Sequence, residues 1–464
     1  MYPRVVIAGE RSGCGKTTVS LAVMSALSAR GLTVQGFKTG PDYIDPSHYE
    51  ARTGRKGRNI DLWMTEPQDC LELFLKNSSG AHISVIEGVM GLYDGARPDG
   101  RASAAHTAKF LRAPVILVLD GMRGPSSAAA TALGLKMFDP EVNIAGFILN
   151  RAAPADAARA ARAVAAATGI SYLGFLPPDG DLETPFRHLG LVPANEAPPG
   201  GRKLEAERLA ASRLDMGLIE KIARSAPAPP PAQSRLFPPS PRPQRARLAV
   251  ARDKAFSFYY EDTLDLLSLW GCEVAPFSPV SEERLPEGAD ALYIGGGFPE
   301  VYCEELEANS PMREAVRDFC LSGGAVYAEC GGMMYLGSSI TDLRGRDFEM
   351  CGAVGGGFLM RGKLQSIGYR EVVASGDAGF FRRGDTERGH EFHYSSAAGD
   401  AGGFFNVTNS AGDRSGAGVR LCNTVASYVH LSLVSSGIAA RAADRIKPEA
   451  GEPEAGKPEA GACG

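Results

Sequence analysis

The stretch AGERSGCGKTT, residues 8–18, decides the fold of the first half of the chain. It continues a strand-like run, RVVIAG at residues 4–9, and leads into a helix-like run, TVSLAVMSALSA at residues 18–29. A glycine-rich turn between a strand and a helix lets backbone N–H groups approach phosphate oxygens, and the helix N-terminus adds positive potential. The stretch therefore predicts a phosphate-binding loop that binds ATP.

The residue types in this loop suit a nucleotide and its magnesium ion. Gly13 and Gly15 allow the backbone to come close to the phosphates. Lys16 neutralises the β- and γ-phosphates, and the hydroxyl of Thr17 ligates magnesium. The strict pattern has a glycine where this chain has Glu10, and the loop is one residue longer, as in the dethiobiotin synthetase branch of P-loop enzymes. The alternative is a glycine-rich turn without a ligand.

Short apolar runs alternate with alanine-rich stretches along the first half of the chain. The runs include LTVQG at 32–36, HISVIEG at 82–88, APVILVLDG at 113–121 and NIAGFILNR at 143–151. This alternation is typical of βαβ units in a doubly wound parallel sheet, with functional loops at the carboxyl ends of the strands. The sequence therefore predicts an α/β fold of the P-loop NTPase type.

Polar side chains follow several of these predicted strands. Lys38, Asp42 and Asp45 lie in FKTGPDYIDPSHY, residues 37–49, and Glu87 comes just after the run ISVI. Carboxylates at strand ends are suited to magnesium, so Thr17, Asp45 and Glu87 are the predicted metal ligands. Capping of proline-flanked turns is the alternative for the two aspartates. Asn150, after another strand, is predicted either to read adenine or to form a turn.

The length of 464 residues predicts two domains, since single hydrophobic cores stop growing well below this size. SAPAPPPAQSRLFPPSPRPQ, residues 225–244, is a proline-rich linker between a ligase domain at 1–224 and a second α/β domain at 245–440. The second domain is predicted to be doubly wound and flavodoxin-like. The polar repeat at the end predicts a disordered tail at 441–464, with Cys463 incidental.

Composition excludes several classes of protein. The net charge of -5 and the lack of a basic run argue against a nucleic acid or anionic membrane partner. No secretory signal or bilayer-spanning run is recognisable, which predicts a cytoplasmic protein. The nine cysteines have neither zinc-ligand spacing nor the pattern of a disulfide framework, so most are expected to be free thiols.

One thiol has a distinctive setting. Cys330 lies in AVYAECGGMMYLG, residues 325–337, where a strand, a tight turn with small neighbours and a helix form a nucleophile elbow. The helix N-terminus favours the thiolate. Gly296 and Gly297, at the end of another strand, are predicted to supply oxyanion-hole N–H groups. His430 is the predicted base, with His390 and His393 as competitors and a core histidine as the structural alternative.

These segments resemble the cobyrinate a,c-diamide synthase family, in which a dethiobiotin-synthetase-like domain is fused to a class I glutaminase domain. Twelve segments occur in family order, among them AGERSGCGKTT, GFKTGPDYIDPSHY, VIEGVMGLYDG, YIGGGFPE, AECGGMMYLG, RGHEFHYS and ASYVH. The resemblance implies that Cys330 is the glutaminase nucleophile and His430 its base. It also implies that Asp42, Asp45, Glu87 and Asp94 surround nucleotide, magnesium and tetrapyrrole.

One position departs from the expected pattern, and another agrees with it. The slot two positions after His430 holds Ser432, where ordinary class I glutaminases have the glutamate of a Cys-His-Glu triad, so a Cys-His dyad is predicted. Thr18 matches a polar family position and is grouped with the ATP-binding residues, with no specific role.

The implied reaction is ATP-dependent, glutamine-hydrolysing amidation of the a and c acetates of cobyrinic acid in cobalamin biosynthesis. Hydrogenobyrinic acid and nickel-sirohydrochlorin are rival substrates, and a homodimer stays open as the assembly. A chromosome-partitioning type of P-loop switch ATPase is the alternative from another class, although Glu10, Arg11 and Ser12 supply no second lysine in the loop. A dethiobiotin-type ligase without glutamine leaves Cys330 and His430 unexplained.

Overall fold

A computed structural model describes residues 2–96, 99–182, 186–187, 190–196, 198–398, 402–435 and 437–447. The chain divides into two compact units between Gln233 and Ser234. This division lies within the stretch predicted as the linker, residues 225–244.

The first unit is built on a seven-stranded parallel sheet with the strand order β3-β2-β4-β1-β5-β6-β7. The strands of this unit are β1 (Arg4–Gly9), β2 (Val34–Thr39), β3 (Arg58–Ile60), β4 (Ile83–Glu87), β5 (Val115–Asp120), β6 (Ile144–Asn150), β7 (Ser171–Phe175), β8 (Phe186–Arg187) and β9 (Gly190–Leu191). The helices are α1 (Lys16–Ala29), α2 (Ile44–Thr53), α3 (Pro67–Ser78), α4 (Ala104–Phe110), α5 (Pro125–Phe138), α6 (Pro154–Thr168), α7 (Gly201–Ala211) and α8 (Met216–Arg224).

Both faces of this sheet are covered, which explains why its strands read as continuous apolar runs. Along β1, Val6 and Ala8 belong to the core on one face, whereas Val5 and Ile7 belong to the core on the other. A parallel sheet whose crossover helices pack on both faces needs apolar residues at every position. The predicted α/β fold with a doubly wound sheet is therefore confirmed for the first unit.

The second unit contains a six-stranded sheet with the order β12-β10-β13-β15-β25-β24, in which only the β24 pairing is antiparallel. Its strands are β10 (Ala246–Ala251), β11 (Phe256–Phe258), β12 (Cys272–Phe277), β13 (Ala291–Ile294), β14 (Gly296–Gly297), β15 (Ala325–Glu329), β16 (Ser339–Thr341), β17 (Asp347–Glu349), β18 (Phe358–Met360), β19 (Ser366–Ala374), β20 (Thr386–His393), β21 (Ser395–Ala397), β22 (Phe405–Asn409), β23 (Arg414–Ala417), β24 (Val419–Leu421), β25 (Thr424–Ser427) and β26 (His430–Leu431). Its helices are α9 (Glu261–Leu269), α10 (Cys303–Ala308), α11 (Ser310–Leu321), α12 (Gly331–Leu336) and α13 (Ile438–Ile446).

The second unit also has antiparallel sheets, which the sequence analysis did not predict. One has the order β23-β22-β19-β20-β26, and its last pairing sets His390 opposite His430. His390 and His430, which the sequence analysis treated as competitors for the role of base, are therefore neighbours on adjacent strands. The predicted parallel α/β sheet is confirmed, and the antiparallel sheet adds a second layer of strands to the site around Cys330.

The predicted start of the disordered tail, residue 441, is wrong. Helix α13 continues to Ile446, and its residues Ala442 and Ala443 are buried. An amphipathic stretch that can bury alanines against a core is stabilised by that contact even when a polar repeat follows. The rest of the predicted tail, residues 448–464 with Cys463, lies outside the described residues. Within the described ranges, no helix is long and apolar enough to cross a bilayer.

A buried ion pair ties α2 to α7 in the first unit. The guanidinium of Arg52 donates to both carboxylate oxygens of Glu207, at 2.6 and 3.2 Å, and the two side chains are 0% and 2% exposed. The hydroxyl of Ser25 on α1 also donates to Glu207, at 2.7 Å. Removing one member of such a pair leaves an uncompensated charge away from water.

We expect Glu207→Ala to lower the free energy of unfolding of the first unit by about 3–5 kcal/mol. Urea unfolding can be followed by Trp63 fluorescence in a Trp270→Phe background, because these are the two tryptophans of the chain and Trp63 lies in the first unit. The control is Glu50→Ala, which removes an exposed pair with Lys56 and should cost less than about 1 kcal/mol. Equal losses in the two variants would contradict this account of the buried pair.

Candidate functional site

The phosphate loop connects β1 to α1 in the first unit. Gly13 and Gly15 have φ angles of 73° and 94°, in the left-handed region that favours glycine. The ammonium of Lys16 donates to the carbonyl oxygen of Arg11, at 3.3 Å, and therefore lies over the loop. Burial lowers the pKa of Lys16. The loop, the lysine and the start of α1 form a concave surface of N–H and ammonium groups suited to phosphates.

Asn150 supports this loop from below. Its side-chain amide donates to the carbonyl oxygen of Cys14 at 3.0 Å, and the side chain is buried at the end of β6. A Cβ atom on Gly15 would lie 1.8 Å from the Asn150 amide nitrogen, so only glycine fits above it. The sequence predicted that Asn150 either reads adenine or forms a turn. In the structure it contacts the backbone of the phosphate loop, which neither prediction included. Thr18 is half-buried in the first turn of α1.

Lys38, Asp45 and Glu87 form a buried charged cluster beside the loop. The Lys38 ammonium lies 2.6 Å from Asp45 Oδ2 and 2.8 Å from Glu87 Oε1. The hydroxyl of Thr17 donates to Glu87 Oε1 at 2.6 Å, and it is 3.4 Å from Asp45 Oδ2. Tyr49 donates to the other oxygen of Glu87 at 2.7 Å. Residues from β2, α2, β4 and α1 are thus brought together, as the sequence predicted for the ends of parallel strands.

The donor set in this cluster fits a magnesium ion. Thr17, Asp45 and Glu87 present one hydroxyl and two carboxylates within a few ångströms of each other, and oxygen ligands of this kind suit hard divalent cations. In the described part of the chain, no group of three or more histidine, cysteine, aspartate or glutamate side chains is placed to hold a metal. A smaller donor set, of two carboxylates and a hydroxyl, is still suited to magnesium, because this ion usually keeps several waters and also binds substrate phosphates.

Two predicted site aspartates have local roles in the backbone. Asp42 accepts hydrogen bonds from the N–H groups of Ile44 and Asp45, at 2.8 and 3.0 Å, so the turn-capping alternative is observed for this residue. It also lies 3.9 Å from the Lys38 ammonium, at the edge of the charged cluster. Asp94 accepts from the N–H of Gly91 at 3.0 Å and closes the turn after β4.

Cys330 occupies a strained turn in the second unit. Strand β15 ends at Glu329, α12 begins at Gly331, and Cys330 between them has φ 46° and ψ -103°. Non-glycine residues hold such angles only where the surrounding structure enforces them, as at nucleophile elbows. A Cβ atom on Gly332 would lie 2.0 Å from the carbonyl oxygen of Ile294, which explains why the residue two positions after Cys330 is a glycine. A Cβ atom on Gly331, the first residue of α12, would lie 3.1 Å from the backbone nitrogen of Gly297.

His430 is the histidine that pairs with this thiol. It is hydrogen-bonded to Cys330. Burial alone would lower the pKa of His430, but Cys330 and Glu329 together raise it to about 10. A Cβ atom on Gly296 would lie 2.4 Å from His430 Cε1, so the predicted oxyanion-hole strand packs directly against the imidazole. A cysteine and a protonated histidine at a strained elbow are the side chains needed for acyl transfer from an amide.

The competing histidines are neighbours of the pair. His390 stacks on His430, with ring centroids 5.0 Å apart and an interplanar angle of 17°. Burial, followed by the charge of His430, keeps the pKa of His390 well below its usual value. His393 stacks on Tyr428 at 3.8 Å. These contacts favour His430 as the charged partner of the thiol.

Comparisons with known proteins match both units. Residues 5–192 match the CobQ/CobB/MinD/ParA nucleotide binding domain, and residues 247–437 match the CobB/CobQ-like glutamine amidotransferase domain. The chain is 39% identical over 434 residues to the cobyrinate a,c-diamide synthase of Caldanaerobacter subterraneus subsp. tengcongensis, covering 92% of this chain and 94% of that protein. It is 39% identical over 482 residues to the hydrogenobyrinate a,c-diamide synthase of Streptomyces coelicolor, covering 96% and 98%. It is 41% identical over 441 residues to the cobyrinate a,c-diamide synthase of Methanothermobacter thermautotrophicus, covering 93% and 96%.

The chain belongs to the cobyrinate a,c-diamide synthase family. It is a carbon–nitrogen ligase that uses glutamine, with a nucleotide-binding unit followed by a class I glutamine amidotransferase unit. The resemblance drawn from the sequence segments is confirmed, as is the assignment of each fold to its half of the chain.

Sequence reasoning missed two acidic residues in this member of the family. Asp120, at the end of β5, binds Arg11 at 2.6 Å and Arg151 at 2.8 Å, and so links the phosphate loop to the neighbouring strands. Glu329, at the end of β15, lies 3.7 Å from His430. In each case the signal was an acid closing an otherwise apolar strand, the same signal that identified Glu87.

The charge of His430 predicts an unusual pH profile for glutamine hydrolysis. Because the pKa of His430 is raised to about 10, its imidazolium is present below that pH and is lost as pH rises through it. We expect kcat/KM for glutamine to persist through about pH 9 and to fall near pH 10, since the imidazolium protonates the leaving ammonia. Steady-state kinetics of glutamate release measures this. An alkaline limb near the ordinary histidine value would contradict the pairing of His430 with Cys330.

Proposed function

We propose that the chain amidates the a and c acetate carboxylates of cobyrinic acid, using ATP and ammonia released from glutamine. The observation that carries this proposal is the presence, on one chain, of a charged phosphate site and a strained thiol paired with a histidine. The first suits activation of a carboxylate, and the second suits release of ammonia from an amide. The names of the relatives supply the class of substrate.

Activation of the carboxylate comes first, because oxide is a very poor leaving group. A carboxylate oxygen of the macrocycle attacks the γ-phosphorus of ATP, the bond from that phosphorus to the bridging oxygen breaks, and ADP leaves with an acyl phosphate formed. Lys16 and Lys38 are proposed to balance the phosphate charge. Thr17, Asp45 and Glu87 would hold magnesium, which when bound adds positive charge against the phosphates.

Glutamine is cleaved at Cys330. The thiolate attacks the side-chain amide carbon, and the N–H groups of Gly296 and Gly297 are proposed to stabilise the developing oxyanion. His430 gives its proton to the nitrogen as the carbon–nitrogen bond breaks, so ammonia leaves and a glutamyl thioester remains. Water, deprotonated by His430, then releases glutamate and regenerates the thiol.

Ammonia completes the reaction at the acyl phosphate. Its nitrogen attacks the acyl carbon and the bond from carbon to the phosphate oxygen breaks. The nitrogen loses one proton, which the departing phosphate can take up, and the amide forms. The same sequence of steps at the second acetate gives the diamide. Asp42 and Asp94 are proposed to face the nucleotide and macrocycle in these steps, and Asn150 and Thr18 to support nucleotide binding.

The identity of the macrocycle is the finer part of this proposal. Relatives named for cobyrinate and for hydrogenobyrinate share the same 39% identity with this chain. We propose cobyrinic acid as the substrate, with hydrogenobyrinic acid and nickel-sirohydrochlorin as its competitors. We further propose that the reaction takes place in the cytoplasm, where ATP and glutamine are supplied, and that a homodimer is the assembly to test.

Wild-type protein offered each macrocycle in parallel with ATP, magnesium and glutamine should convert cobyrinic acid to its diamide, as followed by mass spectrometry. We expect Glu87→Gln to lose amidation from both glutamine and ammonium by about a hundredfold or more, because the cluster that positions the phosphates loses a charge. The variant should keep hydrolysing glutamine. The matched control is Glu50→Gln on the exposed face of α2, which should amidate at the wild-type rate.

One outcome would correct the proposal and another would overturn it. If another macrocycle is the better substrate, the reaction stands and the substrate is corrected. If no macrocycle is amidated and none of the three changes the rate of ATP hydrolysis, the switch-ATPase alternative replaces the ligase.

A further inference from the structure

Glu329 is an unusually well-held buried acid. It ends β15 directly before Cys330, and its side chain is 1% exposed. Oε1 accepts hydrogen bonds from the hydroxyl of Tyr327 at 2.6 Å and from the N–H of Leu431 at 2.9 Å. Oε2 accepts from the hydroxyl of Tyr293 at 3.1 Å. Three donors on one carboxylate are what burial of a charged group requires.

The free side of this carboxylate faces the histidine of the glutaminase site. Glu329 Oε2 lies 3.7 Å from His430 Nδ1, and the His430 side chain is 3% exposed. The backbone N–H of Leu431, the residue after His430, donates a hydrogen bond to Glu329. The carboxylate therefore contacts both the imidazole ring and the strand that carries it, β26. With Nδ1 turned toward Glu329, the other ring nitrogen, Nε2, is the one left for the thiol.

We propose that Glu329 is the positioning acid of the glutaminase site and completes a Cys330-His430-Glu329 triad from the nucleophile's own strand. It would take the role of the glutamate that ordinary class I glutaminases carry two positions after the histidine, where this chain has Ser432. The predicted dyad is thereby replaced by a triad with a relocated acid. This inference rests on the proposed glutaminase function of the second unit.

The charges around His430 agree with this role. Cys330 and Glu329 raise the pKa of His430 and so favour its imidazolium, and His390 stacks on it. Burial lowers the pKa of His393, and the charge of His430 lowers it further. Burial, followed by the charge of Glu329, raises the pKa values of Tyr293 and Tyr327 well above normal. Both tyrosines therefore stay protonated and keep donating to Glu329. A carboxylate held in this way fixes the tautomer of the histidine and stabilises its imidazolium.

The test is Glu329→Gln, which keeps the size and most hydrogen bonds of the side chain but removes its charge. We expect kcat/KM for glutamine hydrolysis to fall by about a hundredfold to ten-thousandfold. We also expect the alkaline limb of its pH profile to move to lower pH, because the imidazolium loses a stabilising charge. Amidation of cobyrinic acid from ammonium should be unchanged. A purely structural role for Glu329 would lower the rate without moving the pH limb.

Ser432→Ala is the matched control, and it should hydrolyse glutamine at the wild-type rate. Folding of Glu329→Gln can be judged by Trp270 fluorescence in a Trp63→Phe background. If this variant does not fold, Glu329→Asp replaces it, because aspartate keeps the charge but moves it away from His430. Glu329→Asp should show a smaller loss of kcat/KM and a shifted alkaline limb. Wild-type hydrolysis and an unmoved limb in the folded Gln variant would overturn the inference. Absence of ammonium-driven amidation in the wild type would instead count against the proposed ligase function.

Discussion

Parallel pairing of strands is the constraint on which both sites depend. In the first sheet, β2, β4, β1, β5 and β6 run side by side in that order, so the loops and side chains at their carboxyl ends meet at one edge. In the second sheet, the same geometry brings the end of β13 beside the end of β15. Residues far apart in sequence, such as Thr17 and Glu87, come within hydrogen-bond distance for this reason.

Each site buries charge, and each balances that charge with partners. Lys38 in the first unit lies between Asp45 and Glu87, so its ammonium offsets part of the charge of the two carboxylates. In the second unit, the charge of His430 is held between Cys330 and Glu329. Burying an unpaired charge would cost several kcal/mol. This requirement explains why the acids at strand ends are found beside cations, and why loss of one partner is expected to affect both folding and chemistry.

The sequence was sufficient to predict what is local. The strand, loop and helix around Lys16, the elbow at Cys330 and the parallel sheets all follow from short-range patterns. It could not predict contacts made by register between distant strands, such as the stacking of His390 on His430, because no local pattern encodes which antiparallel strands pair. Glu329 was missed for a related reason: the usual pattern places the acid two positions after His430, whereas in this fold the acid comes from the nucleophile's own strand. The capping role of Asp42 was among the stated alternatives, and backbone geometry decided it.

The central claim is that one chain carries two chemically separable half-reactions, and the source of the amide nitrogen tests it most directly. Cys330→Ala should be compared with wild type in ATP-dependent amidation of cobyrinic acid, with either glutamine labelled with ¹⁵N in its side-chain amide or unlabelled ammonium as donor. We expect the variant to lose incorporation of the labelled nitrogen and to keep amidation from ammonium. Undiminished incorporation from glutamine in Cys330→Ala, or loss of both reactions in a variant that remains folded, would contradict it.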